Sequence, residues 1–283
     1  MISYYGGKQK MAATILPLFP PHRTYVEPFF GGGAVFFAKP PSRIEIINDF
    51  NEWVANFFRV CRDDFDTLNH RIQYTMHGEA AYREAKAILK GGGGGADADG
   101  IATDGHAPAR RIETDPVALA WAFWVQTNMS FSKGMFKGFA FSMEGNEGKA
   151  KRNARKSFGR PIRDRLGGAT IFNRDALDVI GRYDAPDTFF YFDPPYAESD
   201  CGHYEKGKDV YYRLLEVLPG LKGKWLMSSY PSAQLLGLRT MHGWDWLDTE
   251  KALCVSGSHN SGKRKTECLT ANYTLARQTS LFG

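Results

Sequence analysis

The chain has 283 residues, 43% of them hydrophobic and 14% aromatic, which is enough to bury the core of one large domain or two modest ones. No run approaches the roughly 18 apolar residues of a membrane span, and the opening Met1-Ile-Ser has no apolar signal-peptide region. Cys61, Cys201, Cys254 and Cys268 are scattered without a CxxC pair, which argues against zinc or a disulfide framework and suits a reducing cytosol; a net charge of +5 matters less than its distribution.

Tyr4-Tyr5-Gly6-Gly7-Lys8 comes first. Two glycines let the backbone turn or lie close to a ligand, with Lys8 placed to face a carboxylate or another anion. An exposed N-terminal turn fits the same residues. A helix is expected from Gln9 to about Leu18, stopped by Pro20-Pro21. Thr24 to Phe30 reads as a short strand running into Gly31-Gly32-Gly33, and Ala34 to Ala38 as a helix. Strand, glycine loop and helix bring backbone close to a nucleotide-like ligand. The loop is neither GxGxxG nor a Walker loop, so its ligand need not carry phosphate. Ile44 to Asn48 is a second strand, with the acid Asp49 at its tip, 16 residues after Gly33. An acid at this place bonds ribose hydroxyls. The alternative is an N-cap for a helix from Asn51 to about Arg62.

From Asn51 to Arg165 the texture changes. Amphipathic helical segments run through Trp53–Cys61, Phe65–Met76 and Ala80–Leu89. Five consecutive glycines from Gly91 cannot nucleate a core, so a surface loop is expected to about Pro108. Asp97, Asp99 and Asp104 hint at a calcium loop, but its twelfth position would be Pro108 rather than glutamate. Asp115 suits an N-cap for a core helix from Pro116 to Asn128. Phe131 to Phe141 mixes glycines, Lys133, Lys137 and large apolar side chains, as a surface-probing hairpin or a self-packed one would. Lys149 to Arg165 holds eight basic residues against Asp164 alone. That surplus exceeds the whole chain's net charge, and it looks like a polyanion footprint.

Strand and helix then alternate again. Ala169–Phe172 is a strand with Asp175 past its tip, and a helix follows to about Ile180. Thr188 to Phe192 is apolar throughout, as in a strand buried on both faces of a parallel sheet. It ends in Asp193-Pro194-Pro195-Tyr196. The prolines lack donors and fix φ, which makes a stiff elbow of acceptors beside a ring at a strand's carboxyl end, where open α/β sheets bind ligands. Asp209–Leu218 should be helical, Lys224–Ser229 a strand, Ser232–Leu238 a short helix, and Trp244–Leu253 with Thr266–Leu275 a closing antiparallel pair. Their connection carries Lys263, Arg264 and Lys265. Asp49, Asp175 and Asp193 thus stand at strand tips that line one crevice of a parallel sheet. Asp49 and the loop suit a nucleoside, whose amine Asp175 can accept from. Asp193 and the Pro194 carbonyl can hold both hydrogens of a planar amine. That amine then pyramidalises and becomes nucleophilic, with Tyr196 stacked on its ring.

These motifs resemble those of the Dam-like (D12) DNA N6-adenine methyltransferases. Asp193-Pro-Pro-Tyr196 looks like the catalytic motif, so the catalytic residues implied are Asp193, Pro194 and Tyr196. Phe29-Phe30-Gly31-Gly32-Gly33 resembles the cofactor motif FxGxG, Tyr4 to Lys8 the N-terminal cofactor motif, Asp49 the ribose acid, and Lys265 to Tyr273 the C-terminal strand motif. The resemblance implies an α/β fold: a Rossmann-like class I methyltransferase sheet, mostly parallel with the last strand antiparallel. Residues 1–50 and 166–283 would form the catalytic domain, and a mainly helical insertion, 51–165, the target-recognition domain. It implies S-adenosylmethionine, bound by Tyr4, Lys8, Glu27, Phe29, Gly31, Gly33, Asp49, Asp175 and Asp193. It also implies duplex DNA as partner, with contacts expected from Lys133, Lys137, Lys151, Arg152, Arg155, Lys156, Lys263, Arg264 and Lys265. No metal or membrane is expected. The protein should be a cytoplasmic monomer, or a transient dimer on DNA, in a bacterium or a phage-infected host. Flipping an adenine costs a few kcal/mol, and stacking on Tyr196 would return roughly 1–3 kcal/mol, so phosphate contacts must contribute the rest. Rival readings are N4-cytosine methylation on the same scaffold and a DNA-binding protein without catalysis. Asp rather than Ser or Asn before Pro-Pro-Tyr favours adenine by resemblance.

Overall fold

A computed structural model describes residues 8–91, 115–131, 135–140, 154–195, 205–252 and 264–275. Its strands are β1 (Thr24–Glu27), β2 (Ile44–Asn48), β3 (Ala169–Phe172), β4 (Thr188–Phe192), β5 (Lys224–Ser229), β6 (Asp245–Ala252) and β7 (Arg264–Ala271). They form one seven-stranded sheet in the order β3-β2-β1-β4-β5-β7-β6. This is the doubly wound order 3-2-1-4-5-6 with the last strand slipped in before β6. β4 runs parallel to β1 and to β5, while β7 is antiparallel to β5 and β6. The expected α/β class, a mostly parallel Rossmann-like sheet with a reversed last strand, is what the chain adopts. β4 is buried at all five positions, which is why it reads as a continuous apolar run. Tyr25 pairs with Phe189 on one side of it, and Phe190 with Trp225 on the other.

The helices are α1 (Ala12–Ile15), α2 (Ala34–Ala38), α3 (Glu52–Asp63), α4 (Phe65–Gln73), α5 (Glu79–Gly91), α6 (Pro116–Met129), α7 (Arg160–Leu166), α8 (Ala176–Tyr183), α9 (Glu205–Val217) and α10 (Ala233–His242). Among the described residues no helix is long and apolar enough to cross a membrane. The expected glycine loop lies outside the described residues beyond Gly91, which closes α5.

The chain divides into two compact units. The first takes in Met1–Gln9, Phe30–Pro41 and Ile47–Asp175. Its centre is α6, apolar all round and buried from Ala120 to Thr127, as a helix with no wet face must be. Asp115 caps it by accepting from Val117 N at 2.9 Å, with Pro116 at the first position. α6 packs against α3 and α5. Phe57, Phe58, Phe65, Phe123 and Phe158 fill the space between helices. α4 ends at Gln73 although its apolar spacing continues to Met76. Thr75 Oγ1 donates to the Arg71 carbonyl at 2.6 Å, and Arg155 Nη1 to the Thr75 carbonyl at 3.0 Å, so side chains take acceptors that another helical turn would use.

The second unit takes in Lys10–Phe29, Ser42–Ile46 and Ala176–Gly283. Asn272 pins β5: its Oδ1 accepts from Trp225 N at 2.8 Å and its Nδ2 donates to the Gly223 carbonyl at 3.0 Å. The Tyr273 hydroxyl donates to the Leu18 carbonyl at 2.8 Å. α10 runs a turn past the expected Leu238. Arg239 is buried and donates twice to Thr270 Oγ1, at 2.6 and 3.0 Å, so the helix has a reason to continue. Gly243, at φ 64°, then stops it.

Candidate active site

The glycine loop and the acid predicted to serve it are in contact. Gly31 N donates to Asp49 Oδ2 at 2.7 Å, and Asn51 N donates to Asp49 Oδ1 at 2.8 Å. Gly31 and Gly33 have φ 49° and 65°, in the left-handed region that favours glycine. A Cβ on Gly33 would sit 2.5 Å from Phe30 Cζ and 2.9 Å from Phe37 Cε2, so no side chain fits there. Asp49 is not the cap of α3. That role falls to Asn51, whose Oδ1 accepts from Trp53 N at 2.9 Å. Part of Asp49 reaches solvent, but protein surrounds its carboxyl. Burial raises its pKa from 3.8 to about 6, against the opposing pull of the Gly31 and Asn51 N–H groups. Each carboxylate oxygen has a second acceptor position beyond its backbone donor, so the group can still receive hydroxyls.

Two asparagines that the sequence reading passed over tie this acid to the next strand tip. Asn48, the last residue of β2, accepts from Arg174 N at 2.9 Å and donates to the Arg174 carbonyl at 3.1 Å. Asn173, just past β3, donates to the Asp49 carbonyl at 2.8 Å and the Phe50 carbonyl at 3.0 Å. Asp175 follows directly and is partly buried, so two of the predicted acids belong to one stitched cluster. Phe50 was also passed over. It is 60% exposed beside the acid. Lys8 is buried in the same unit.

The proline elbow stands in the second unit, at the carboxyl end of β4. β1 and β4 are neighbours there and the strand order reverses, which is where doubly wound sheets bind ligands. Asp193 is partly buried, Pro194 buried and Pro195 exposed. Beneath them lies a buried polar layer. The Tyr25 hydroxyl donates to Glu27 Oε2 at 2.7 Å, and Ser228 Oγ donates to Glu267 Oε1 at 2.7 Å. The Tyr191 hydroxyl is buried without a partner in hydrogen-bond geometry, Ser228 being its polar neighbour. Its pKa is raised well above 10.0, first by burial, then by Asp193, Glu27 and Glu267. Glu27 therefore faces Tyr25 within this layer, and Phe29 is half-buried. Tyr4 and Tyr196 lie outside the described residues.

Residues 4–252 match the family model for the D12 class of N6 adenine-specific DNA methyltransferases. The chain belongs to that class. It is also 39% identical over 64 residues to the Type II methyltransferase M1.LlaDCHI of Lactococcus lactis subsp. cremoris, a match that covers 22% of this chain and 22% of that protein.

In this D12-class chain the basic candidates divide by what they touch. Arg155 bonds the α4–α5 turn through the Gln73 and Thr75 carbonyls. Arg160 pairs with Asp66 at 3.2 Å and Arg163 with Asp164 at 2.8 Å. Arg165 donates to the Phe36 carbonyl at 3.0 Å, with its guanidinium 3.7 Å from the Phe36 ring centre. Much of the Lys149–Arg165 run thus has internal work. Lys137 and Lys156 are exposed. Arg264 and Lys265 open β7, while Lys133, Lys151, Arg152 and Lys263 lie outside the described residues.

Proposed function

We propose that the protein methylates adenine N6 within a short duplex DNA target, with S-adenosylmethionine as donor and the base turned out of the helix. The observation that carries this is the Asp193-Pro194 elbow, at the carboxyl end of a fully buried β4, in a chain of the D12 class.

The donor's nucleoside fits the first unit on three counts. Asp49 keeps acceptor positions for two ribose hydroxyls. Gly31 and Gly33, both at positive φ, give the loop the tight backbone that a nucleoside can approach closely. The exposed Phe50 ring offers a face for the adenine. Lys8, Glu27, Phe29, Gly31, Asp175 and Tyr4 complete the proposed set, Tyr4 by resemblance alone. When bound, S-adenosylmethionine supplies an electrophilic methyl on a sulfonium.

Asp193 and the Pro194 carbonyl accept the two N6 hydrogens. Held this way the amine pyramidalises, and its lone pair becomes available, chiefly by positioning. Asp193, whose charge adds to burial in raising the Tyr191 pKa, also makes the elbow favour positive charge. That field helps the nitrogen as it becomes cationic. Tyr196 stacks on the target ring, a role carried over by resemblance. Residues 51–165 serve as the target-recognition domain on the catalytic residues 1–50 and 166–283. Lys137, Lys156, Arg264 and Lys265, with Lys133, Lys151, Arg152, Arg155 and Lys263, contact the duplex. The protein acts in a bacterial or phage-infected cytoplasm, as a monomer or a transient dimer on DNA.

The test is mass spectrometry of nucleosides from DNA incubated with labelled donor. N6-methyladenine is expected, and N4-methylcytosine in its place would overturn the assignment. Asp193→Ala should abolish transfer while largely preserving DNA binding. Equal turnover in mutant and wild type would remove Asp193 from catalysis.

A further inference from the structure

Between α4 and α5 the chain makes a turn, Tyr74–His77, that combines a fixed backbone with bare apolar side chains. Thr75 Oγ1 donates to the Arg71 carbonyl at 2.6 Å and accepts from the buried Trp121 Nε1 at 2.7 Å. Arg155 Nη1 donates to the Thr75 carbonyl at 3.0 Å. The His77 ring lies 4.7 Å from the Phe139 ring, where the Ser130–Phe139 bridge closes. Held from three directions, the turn cannot fold its side chains inward. Tyr74 is 76% exposed and Met76 81% exposed. They rim an open hollow of about 720 Å³ with Trp121 in its wall and the Arg71 guanidinium 4.1 Å from the Trp121 ring centre. Keeping two such groups in water forgoes the stabilisation that burial would bring, which marks an interaction surface rather than a packing one. The rim is mainly basic: Arg71 and Arg155 border the turn and the exposed Lys156 follows Arg155, against Glu84, which pairs with Arg71 at 3.2 Å.

We infer that the Tyr74–Met76 turn is a DNA-docking element. Tyr74 and Met76 pack on base or sugar faces, and the surrounding cations meet the flanking phosphates. An apolar point in a positive rim complements nucleic acid, which sets apolar faces between lines of negative charge. The inference rests on reading the protein as a DNA methyltransferase.

The probes are a duplex centred on the modified site, mapped by sequencing DNA from a methylation-free host that expresses the protein, and a scrambled duplex. Tyr74→Ala with Met76→Ala should weaken mapped-duplex affinity by tenfold or more, in line with about 1–3 kcal/mol per stacked base. The slope of affinity against salt should not change, because no charge is removed. Turnover at saturating DNA and donor affinity should also stay as in wild type. Tyr74→Phe should retain affinity, and Tyr74→Glu should lose more than Tyr74→Ala. Both side chains are mostly in solvent, so an unchanged melting temperature is expected. Unchanged affinity in the double variant, or a change in sedimentation without a change in DNA affinity, would overturn the inference. If wild type fails to methylate DNA at all, the functional reading fails instead.

Discussion

Asp49 offers a test of the donor site that does not depend on methyl transfer. Its carboxyl has a pKa of about 6 rather than 3.8, because burial outweighs the Gly31 and Asn51 N–H groups. At 1.36 kcal/mol per pKa unit, the ionised form is disfavoured by at most about 3 kcal/mol, less whatever its partial exposure screens. Its folded pKa is raised, so the folded state binds the extra proton between pH 3.8 and about 6. Asp49 therefore makes the ligand-free protein less stable as pH rises through that window. A ligand that donates two hydroxyls to the carboxylate recognises the anion alone. Below pH 6 its binding must expel a proton, and at pH 5 only about one molecule in eleven is already ionised. Affinity for S-adenosylmethionine at pH 5 should thus be about tenfold weaker than at pH 7, with proton release on binding. Isothermal titration in two buffers of different ionisation enthalpy reads both. Asp49→Asn removes the titration. It also turns an amide NH2 toward Gly31 N or Asn51 N, leaving a buried donor unmet at a cost of about 1–3 kcal/mol. Flat wild-type affinity from pH 5 to 7, or the same pH dependence in Asp49→Asn, would refute the assignment.

Gly33→Ala should lower stability by about 2–5 kcal/mol, combining a left-handed backbone with a Cβ 2.5 Å from Phe30 Cζ; an unmoved urea midpoint would contradict this. Ser228→Ala removes the 2.7 Å bond to the buried Glu267 and should cost about 1–3 kcal/mol, measured as a fall in melting temperature. Lys156→Gln should reduce the salt slope of DNA affinity by about 0.9. Arg155→Gln should reduce the slope as well and also lower the melting temperature, because Arg155 bonds the α4–α5 turn; an unchanged slope would leave it with the turn alone.

The sheet was largely legible because its signals are local. A wholly apolar Thr188–Phe192, and acids or glycines at strand ends, need no knowledge of distant partners. The Gly31–Asp49 contact was also foreseeable, since loop and acid flank one strand–helix–strand passage. Asn48 and Asn173 were not. An asparagine at a strand end reads as turn chemistry, and its partners here lie 126 and 124 positions away. The end of α4 was misjudged for the same reason: Arg155, 80 positions on, takes the Thr75 carbonyl. Charge counting could not show that Arg160 and Arg165 have protein partners outside the basic run, Asp66 and the Phe36 carbonyl. Arg239 lies beyond the expected end of its helix at Leu238, and its partner Thr270, which draws it inside, is 31 positions away.

The two asparagines have a further consequence. Asn173 holds the carbonyls of Asp49 and Phe50, and Asn48 clasps Arg174 on both its N–H and its carbonyl. The chain therefore leaves β2 and returns through β3 by a single doorway, closed by hydrogen bonds across 124 positions. A segment with such an entrance can be lengthened at little extra closure entropy. The helices between still lean on the frame, because Arg165 donates to the Phe36 carbonyl and the Phe58 ring lies 4.8 Å from the Phe30 ring. Length is therefore cheapest far from these contacts, where it leaves Asp49 and its glycine loop in place.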